Sequence, residues 1–196
     1  MTTTREALVE AAAELLEEGG VAAVTLREVG RRAGVSHNAP YKHFADKEDL
    51  LASVVARDLT LRHAAGQRSR AGLSSIDLVR HLLRGYVRHA LAHPQLFKLT
   101  FGPWRTASAE LSEAATTSRS AFVQAVADAQ RDGDLPPGDP ERLTALLSAL
   151  AHGASDLALA GHLARDGKGR ADPYDLVDDL LAHVRVRAER PSPTST

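Results

Sequence analysis

The chain opens with apolar positions at helical spacing, bounded by residues that begin or end helices. Thr3 and Glu6 have the spacing of a capping box, in which each side chain accepts a hydrogen bond from a backbone amide of the first turn. Five apolar residues follow on one predicted face: Leu8, Ala11, Ala12, Leu15 and Leu16. The pair Gly19-Gly20 is predicted to end this first helix.

Two short helices are predicted next. Thr25 and Glu28 repeat the capping-box spacing, and Gly34 is predicted to stop the second helix by adopting a left-handed conformation. A third helix is predicted from about Ser36 to His43, with Ser36 as its cap. The two helices are therefore separated by a tight turn that contains a glycine.

Helical signals continue to the end of the chain, and no strand signal interrupts them. Asp46 is predicted to cap a fourth helix that reaches about Ala65, and Ser74 opens another that must end near Pro94. A long helix is predicted over 107–131. The last two helices are predicted where an aspartate precedes a proline, at Pro140–Ala164 and Pro173–Glu189. The pattern predicts an all-α protein of about nine helices.

Composition supports this fold class and narrows the chemistry. Apolar residues make up 43% of the 196 residues and aromatic residues only 4%, a mixture that favours helices over strands. The absence of cysteine excludes disulfides and thiolate metal sites. Because polar residues interrupt the apolar stretch Leu143–Ala164 and the first residues do not resemble a secretory signal, we expect a cytoplasmic protein.

Charge is unevenly distributed along the chain. The net charge is −1, but residues 25–47 hold five basic side chains and two acidic ones, a net +3. A basic segment in an otherwise acidic chain is typical of a protein that contacts DNA with one end.

Two short helices joined by a glycine turn and preceded by an amphipathic helix have the pattern of a helix-turn-helix. The turn is the segment Ala33-Gly34-Val35-Ser36. Such spacing alone is weak evidence, since many helix pairs share it. The longer run from Thr25 to Leu51 is more specific, especially Tyr41-x-His43-Phe44, the pair Asp46-Lys47 and Leu50-Leu51.

This run resembles the DNA-binding domain of the tetracycline-repressor (TetR) family, over roughly residues 5 to 55. The later helices match that family in number, length and order. The segment from His93-Pro94 to Phe101-Gly102, with His152-Gly153, resembles more loosely one subgroup of regulatory domains. The resemblance implies a transcriptional regulator with an N-terminal three-helix DNA-binding domain and a helical ligand-binding and dimerisation domain.

Residues at the start of the third helix are expected to face the major groove. Asn can pair with adenine, His can donate or accept, and an Ala methyl can contact a thymine methyl. The resemblance implies phosphate and sugar contacts at Tyr41 and His43 and places Lys47 near the DNA backbone, and such contacts fix register rather than sequence. The predicted DNA-binding residues are Thr25, Arg27, Ser36, His37, Asn38, Ala39, Tyr41, Lys42, His43 and Lys47.

Pro40 is unexpected in the first turn of a recognition helix. It lacks an amide hydrogen and disfavours helical geometry at Ala39, so the helix is predicted to start late or to have a tightened first turn. Among the nearby arginines, Arg31 and Arg32 can either reach DNA or simply pair with Glu28.

We expect residues 1–48 to form the DNA-binding domain, 49–190 the ligand-binding and dimerisation domain, and 191–196 a disordered tail. The resemblance implies a homodimeric repressor that a small molecule releases from its double-stranded operator, with the fourth helix as the lever. The predicted dimer-interface residues are Leu143, Leu146, Leu147, Leu150, Leu157, Leu176, Val177, Leu180, Leu181 and Val184.

The few aromatic residues concentrate in the central part of the chain, which favours an apolar or aromatic effector. Filling the core of the protomer is the simpler interpretation of these residues. The predicted ligand-binding residues are Tyr86, His89, Phe97, Phe101, Trp104, Phe122 and His152.

Other functions have weaker support. His89 and His93 are four residues apart and can share a metal, but no third ligand follows in a recognisable pattern, so neither a metal nor a cofactor is expected. An all-helical enzyme would need a convergent set of titratable residues, and none is visible. An activator or a ligand-independent DNA-binding protein of the same fold remains the main alternative.

Overall fold

The computed structural model describes residues 3–184. Within that range it contains nine α-helices and no β-strand, which confirms the predicted all-α fold. The helices are α1 Thr4–Ala23, α2 Leu26–Arg32, α3 Pro40–His43, α4 Lys47–Ser69, α5 Ser75–Ala92, α6 Pro94–Thr100, α7 Ala109–Arg131, α8 Pro140–Leu159 and α9 Pro173–Val184.

Capping residues set most helix starts where the sequence predicts them. Thr3 and Glu6 form both hydrogen bonds of the capping box at the start of α1. Asp46 accepts the amide of Asp49 at 2.9 Å, and Asp139 accepts that of Glu141 at 2.9 Å. The second capping box is only half formed, because Thr25 accepts the amide of Glu28 while the Glu28 carboxylate binds Arg31. Local sequence thus determines where these helices begin.

Glycines end or bend the first two helices. The span Thr4–Ala23 consists of two helices joined at a kink, because Gly19 and Gly20 are not helical and Gly20 has φ of +67°. The first of them ends at this glycine pair, as the sequence predicts. Gly34 has φ of +68°. Its amide donates to Arg31 O and the amide of Val35 donates to Gly30 O, the two hydrogen bonds of a Schellman motif. The predicted end of α2 is confirmed.

The third helix starts later than about Ser36, so the earlier start and the cap at Ser36 are wrong. Ser36–Ala39 forms a turn in which the Ala39 amide donates to Ser36 O at 2.9 Å, and Pro40 is the first residue of α3. Ala39 nevertheless has helical angles, φ −61° and ψ −45°. The local preference against them is outweighed because Pro40 is buried against Gly30, where a Cβ would lie 3.0 Å from Pro40 Cγ.

The chain divides into two compact units: unit 1 consists of Met1–Ser69 and Arg88–Ala121, and unit 2 of Arg70–Val87 and Phe122–Thr196. In unit 1 the predicted inward faces of α1 and α4 build one core with Val24, Val29, Phe44 and Leu96. Trp104 and Leu111 pack partly against it. The N-terminal helices therefore share their core with α6.

Unit 2 has its own buried residues. Val79 and Leu83 of α5 are buried, as are Val126 of α7 and Leu135 of the following loop. α8 and α9 pack against each other. The predicted domain boundary at residue 48 divides the chain by function, whereas these two units are defined by packing. The boundary therefore remains a prediction.

No helix in the range 3–184 is long and apolar enough to cross a membrane. The predicted end of the last helix at Glu189 and the tail 191–196 lie outside the described residues.

Substitutions at Gly30 and Pro40 can show whether their contact stabilises the position of α3. Gly30→Ala should lower the free energy of unfolding by about 1 kcal/mol, because the strain of a methyl group 3.0 Å from the buried proline ring exceeds what alanine gains over glycine inside a helix. Urea unfolding of the single variants and of Gly30→Ala combined with Pro40→Ala measures the coupling. The double variant should lose less than the sum of the single losses, and strictly additive losses would contradict the contact.

Candidate nucleic-acid interface

The predicted DNA-binding residues lie on the surface of unit 1. All are exposed except Ala39 and Lys47, which are half-buried. They come from four places close in the chain: the start of α2 with Thr25 and Arg27, the turn 36–39, α3 itself, and the first residue of α4, Lys47. Because this surface belongs to two short helices and the turn between them, it has the dimensions of an element that enters a DNA groove.

Tyr41 and Phe44 lie on opposite sides of the α3 region, one exposed and the other buried. Tyr41 is 55% exposed, and its ring makes an edge contact with His37 at 6.1 Å between centroids. Phe44 is buried in the core, and the Arg5 guanidinium lies 5.3 Å from the centre of its ring. Phe44 therefore anchors α3 from within, while Tyr41 stays available on the surface.

Internal ion pairs take up several basic groups of this region. Arg31 pairs with Glu28, and the guanidinium holds the pKa of that carboxyl below its usual range. Arg32 pairs with Glu14 and Glu18 of α1 rather than with Glu28. These pairs join α2 to itself and to α1, so they serve the packing of the domain.

The remaining basic side chains differ in whether they bond to other parts of the protein. Lys47 donates to the carbonyl oxygen of Val21 and so holds the start of α4 against the end of α1. Arg27 and Lys42 are exposed and make no ion pair within the described residues. They are the cations best placed to meet a phosphate.

Two carboxylates, one on α1 and one on α4, accept hydrogen bonds from backbone amides of the segment 94–106. The Glu17 carboxylate accepts the amide of Leu96 at 3.3 Å, near the N-terminus of α6, where His93 provides no side-chain cap. The Glu48 carboxylate accepts the amides of Arg105 at 2.6 Å and Thr106 at 3.2 Å, which holds its pKa below the usual range. The segment 94–106 is thus bound to α1 near its start and to α4 at its end.

A third connection runs through Arg5. Its guanidinium donates to Ser53 Oγ at 2.8 Å and to Glu110 Oε2 at 2.5 Å, and Ser53 also donates to Glu110 at 3.1 Å. α1, α4 and α7 therefore meet at one carboxylate. Sequence reasoning missed Arg5, Glu17, Glu48 and Glu110, because each pairs with a residue more than fifty positions away and no local pattern marks such partners.

The predicted ligand-binding residues fall into both units. Unit 2 holds Tyr86, Phe122 and His152, and the Tyr86 hydroxyl lies 2.8 Å from His152 Nδ1 in a half-buried hydrogen bond. Unit 1 holds His89, Phe97, Phe101 and Trp104. The rings of Phe97 and Phe101 are in contact at 5.4 Å between centroids, with Phe97 buried and Phe101 exposed.

His89 lies next to the carboxylate of Asp58. Its Nε2 lies 3.3 Å from Asp58 Oδ2 of α4, without the alignment of a hydrogen bond. Burial raises the pKa of Asp58, but the nearby His89 and Arg62 lower it more, so the net pKa is below the usual value. His93 faces Glu17 at 3.8 Å. Among the described residues no three metal-binding side chains converge.

The predicted dimer residues separate into an inner and an outer set. Leu147, Val177 and Leu181 are buried in the protomer where α8 and α9 pack together, so a second copy cannot contact them directly. The outer set is exposed or half-buried and consists of Leu143, Leu146, Leu150, Leu157, Leu176, Leu180 and Val184.

The chain matches known proteins along most of its length. Residues 8–54 match the family model of bacterial regulatory proteins, tetR family, and residues 79–184, more than half of the chain, match that of a tetracyclin repressor-like C-terminal domain. A protein of unknown function from Rhodococcus sp. RHA1 is 33% identical, with 94% of each chain covered and a TM-score of 0.78.

Two more distant structures share the fold. RolR, solved in complex with resorcinol, is 20% identical over 97% of this chain and 95% of its own, with a TM-score of 0.68. AibR, solved in complex with isovaleryl coenzyme A and operator DNA, is 14% identical over 93% and 98%, with a TM-score of 0.66. The resemblance found in the sequence is confirmed: the chain belongs to the tetR family of bacterial regulatory proteins and is a DNA-binding transcriptional regulator.

Proposed function

We propose that the protein is a homodimeric repressor that a small-molecule effector releases from its operator. The observation that carries the DNA-binding half of this proposal is the exposed surface of α3 and its flanking turn, held from within by Phe44 and Pro40. Measuring the DNA affinity of variants on that surface tests this part of the proposal.

Two kinds of DNA contact follow from where the side chains lie. His37 and Asn38 are exposed in the turn that precedes α3, where their polar groups can reach base edges. Arg27, Tyr41, Lys42 and His43 are exposed around it and suit phosphate contacts. Lys47 combines a phosphate contact with its structural bond to Val21.

Lys42→Ala should weaken DNA binding on all sequences and reduce the salt slope of log affinity by about 1, because one phosphate contact is lost. Fluorescence anisotropy on DNA from upstream of the protein's own gene, at several salt concentrations, measures both quantities. Lys98→Ala on α6 is the matched control and should leave them unchanged. Equal effects of the two substitutions would argue against α3 as the DNA-contacting element.

Dimerisation is supported by an apolar stripe on α8. Leu143, Leu146, Leu150 and Leu157 recur at the spacing of one helix face, and Leu146 and Leu157 are 62% and 47% exposed. On α9, Leu176, Leu180 and Val184 repeat every fourth residue and are half-buried. Two helices from each of two copies can bury these stripes in a four-helix bundle around a two-fold axis.

Leu146→Asp should produce a folded monomer, because a carboxylate in the middle of the stripe would have to be buried in the dimer. Sedimentation equilibrium at micromolar concentration measures the assembly, and circular dichroism checks the fold. Leu61→Asp on α4, where the leucine is 56% exposed, is the matched control and should leave the dimer intact. A wild-type monomer in the same experiment would disprove the proposed assembly.

The effector proposal rests on the hydrogen-bonded pair Tyr86 and His152 in unit 2. Two convergent polar groups among apolar side chains are typical of a small-molecule site. RolR was solved with resorcinol, an uncharged aromatic compound, and AibR with isovaleryl coenzyme A, an acyl thioester. Resorcinol agrees with an effector that is largely apolar or aromatic, whereas the coenzyme A part of the AibR ligand is strongly charged.

Tyr86→Phe should raise the effector concentration needed for DNA release by about tenfold, since one hydrogen bond to the ligand or to His152 is lost. A panel of uncharged aromatic compounds that includes resorcinol can be screened by release of labelled DNA. Tyr174→Phe makes the same change elsewhere in unit 2 and should have no effect. If both variants respond like wild type to an active compound, the effector binds elsewhere.

A further inference from the structure

Arg5 is a basic residue in the first turn of α1, a position that helix stability alone does not favour. The partial positive charge at the N-terminus of a helix repels a cation there and attracts an acidic side chain such as Glu6. Arg5 also precedes the segment 8–54 that matches the tetR family model. Its contacts with the rest of unit 1 indicate a different role.

Three contacts fix the guanidinium group of Arg5. It donates hydrogen bonds to Ser53 Oγ on α4 at 2.8 Å and to Glu110 Oε2 on α7 at 2.5 Å. Ser53 is buried and also donates to Glu110. The guanidinium carbon lies 5.3 Å from the centre of the Phe44 ring, within the range of a cation–π interaction. Acceptors on two other helices therefore hold the cation over this ring.

Phe44 connects these contacts to α3. Its amide donates to Pro40 O at 3.0 Å and so closes the last turn of α3, while its side chain is buried in the core of unit 1. A helix of four residues has no stability of its own, so its orientation follows the position of its buried anchors. A displacement of the Phe44 ring would therefore tilt α3 and the exposed side chains that it carries.

We propose that Arg5 is a positioning residue for DNA binding, which holds the Phe44 ring in place and thereby fixes the orientation of α3. The inference rests on the DNA contacts proposed for α3 and does not involve the effector. Arg5 acts through Phe44 and does not bind a phosphate itself. Its loss therefore lowers the affinity for DNA without removing a charge from the DNA-contacting surface.

Fluorescence anisotropy on DNA from upstream of the protein's own gene, at several salt concentrations, tests this role. Arg5→Gln should weaken binding by about threefold, as expected for loss of a partly exposed cation–π contact, and leave the salt slope of log affinity unchanged. Arg57→Gln removes the same charge from another surface ion pair of unit 1, with Glu10, and should bind as wild type does. Unchanged affinity of Arg5→Gln, or equal losses in the two variants, would overturn the role. A fall of the salt slope by about 1 would overturn it too, because Arg5 would then bind a phosphate directly.

A fluorinated ring separates positioning through Phe44 from a general loss of stability. A trifluorinated phenylalanine in place of Phe44 has nearly the same shape but a weaker negative charge on its ring face, so it attracts a cation less. In the wild-type background this replacement should lower DNA affinity by about twofold, whereas in the Arg5→Gln background it should have little further effect. Equal losses in the two backgrounds would show that Arg5 and Phe44 act independently and would contradict the proposal.

Lys42→Ala, measured in parallel, reports on the proposed function itself. Circular dichroism should show that Arg5→Gln is folded, because ion pairs as exposed as that of Arg5 with Glu110 stabilise proteins only weakly. If Lys42→Ala weakens binding and Arg5→Gln does not, the proposed DNA-contacting surface is supported and the role of Arg5 is wrong. If neither substitution changes the affinity, the proposed surface is wrong and the role of Arg5 fails with it.

Discussion

The candidate DNA-binding surface depends on how the four-residue helix α3 is held in place, because a helix of this length is not stable alone. Its support is entirely tertiary: Pro40 packs where Gly30 leaves room for it, and Phe44 is buried in the core formed by α1 and α4. This packing places Pro40 and Phe44 inward and leaves Tyr41, Lys42 and His43 exposed. The exposure of the proposed DNA-contacting side chains therefore depends on two buried side chains, Pro40 and Phe44.

Carboxylates connect this DNA-binding surface to the rest of unit 1. Glu17 and Glu48 cap backbone amides near the start and at the end of the segment 94–106, and Glu110 joins α7 to Arg5. Because hydrogen bonds with charged acceptors are directional, a movement of this segment has to change the geometry at α1 and α4. These hydrogen bonds join α1 and α4 to the segment 94–106 and to α7.

Local features were predictable from the sequence, and distant ones were not. The caps at Thr3, Asp46 and Asp139 and the turn at Gly34 depend on neighbours within a few residues, and all were found where expected. The start of α3 was misplaced because Pro40 fits only through its contact with Gly30. The pairing of Arg5 with Glu110 had no local signal, because the two residues are far apart in the chain.

The most direct test of the central claim, that the turn before α3 reads the operator, is selection of preferred sites from random double-stranded DNA. Wild type should select a two-part sequence with half-sites roughly one helical turn apart, about 10 base pairs or slightly more. Asn38→Ala should relax or change the preferred base at one position of each half-site and leave the other positions as they are. If the variant selects the same sequence as wild type, with the same preference at every position, the turn 36–39 does not read DNA and the account is wrong.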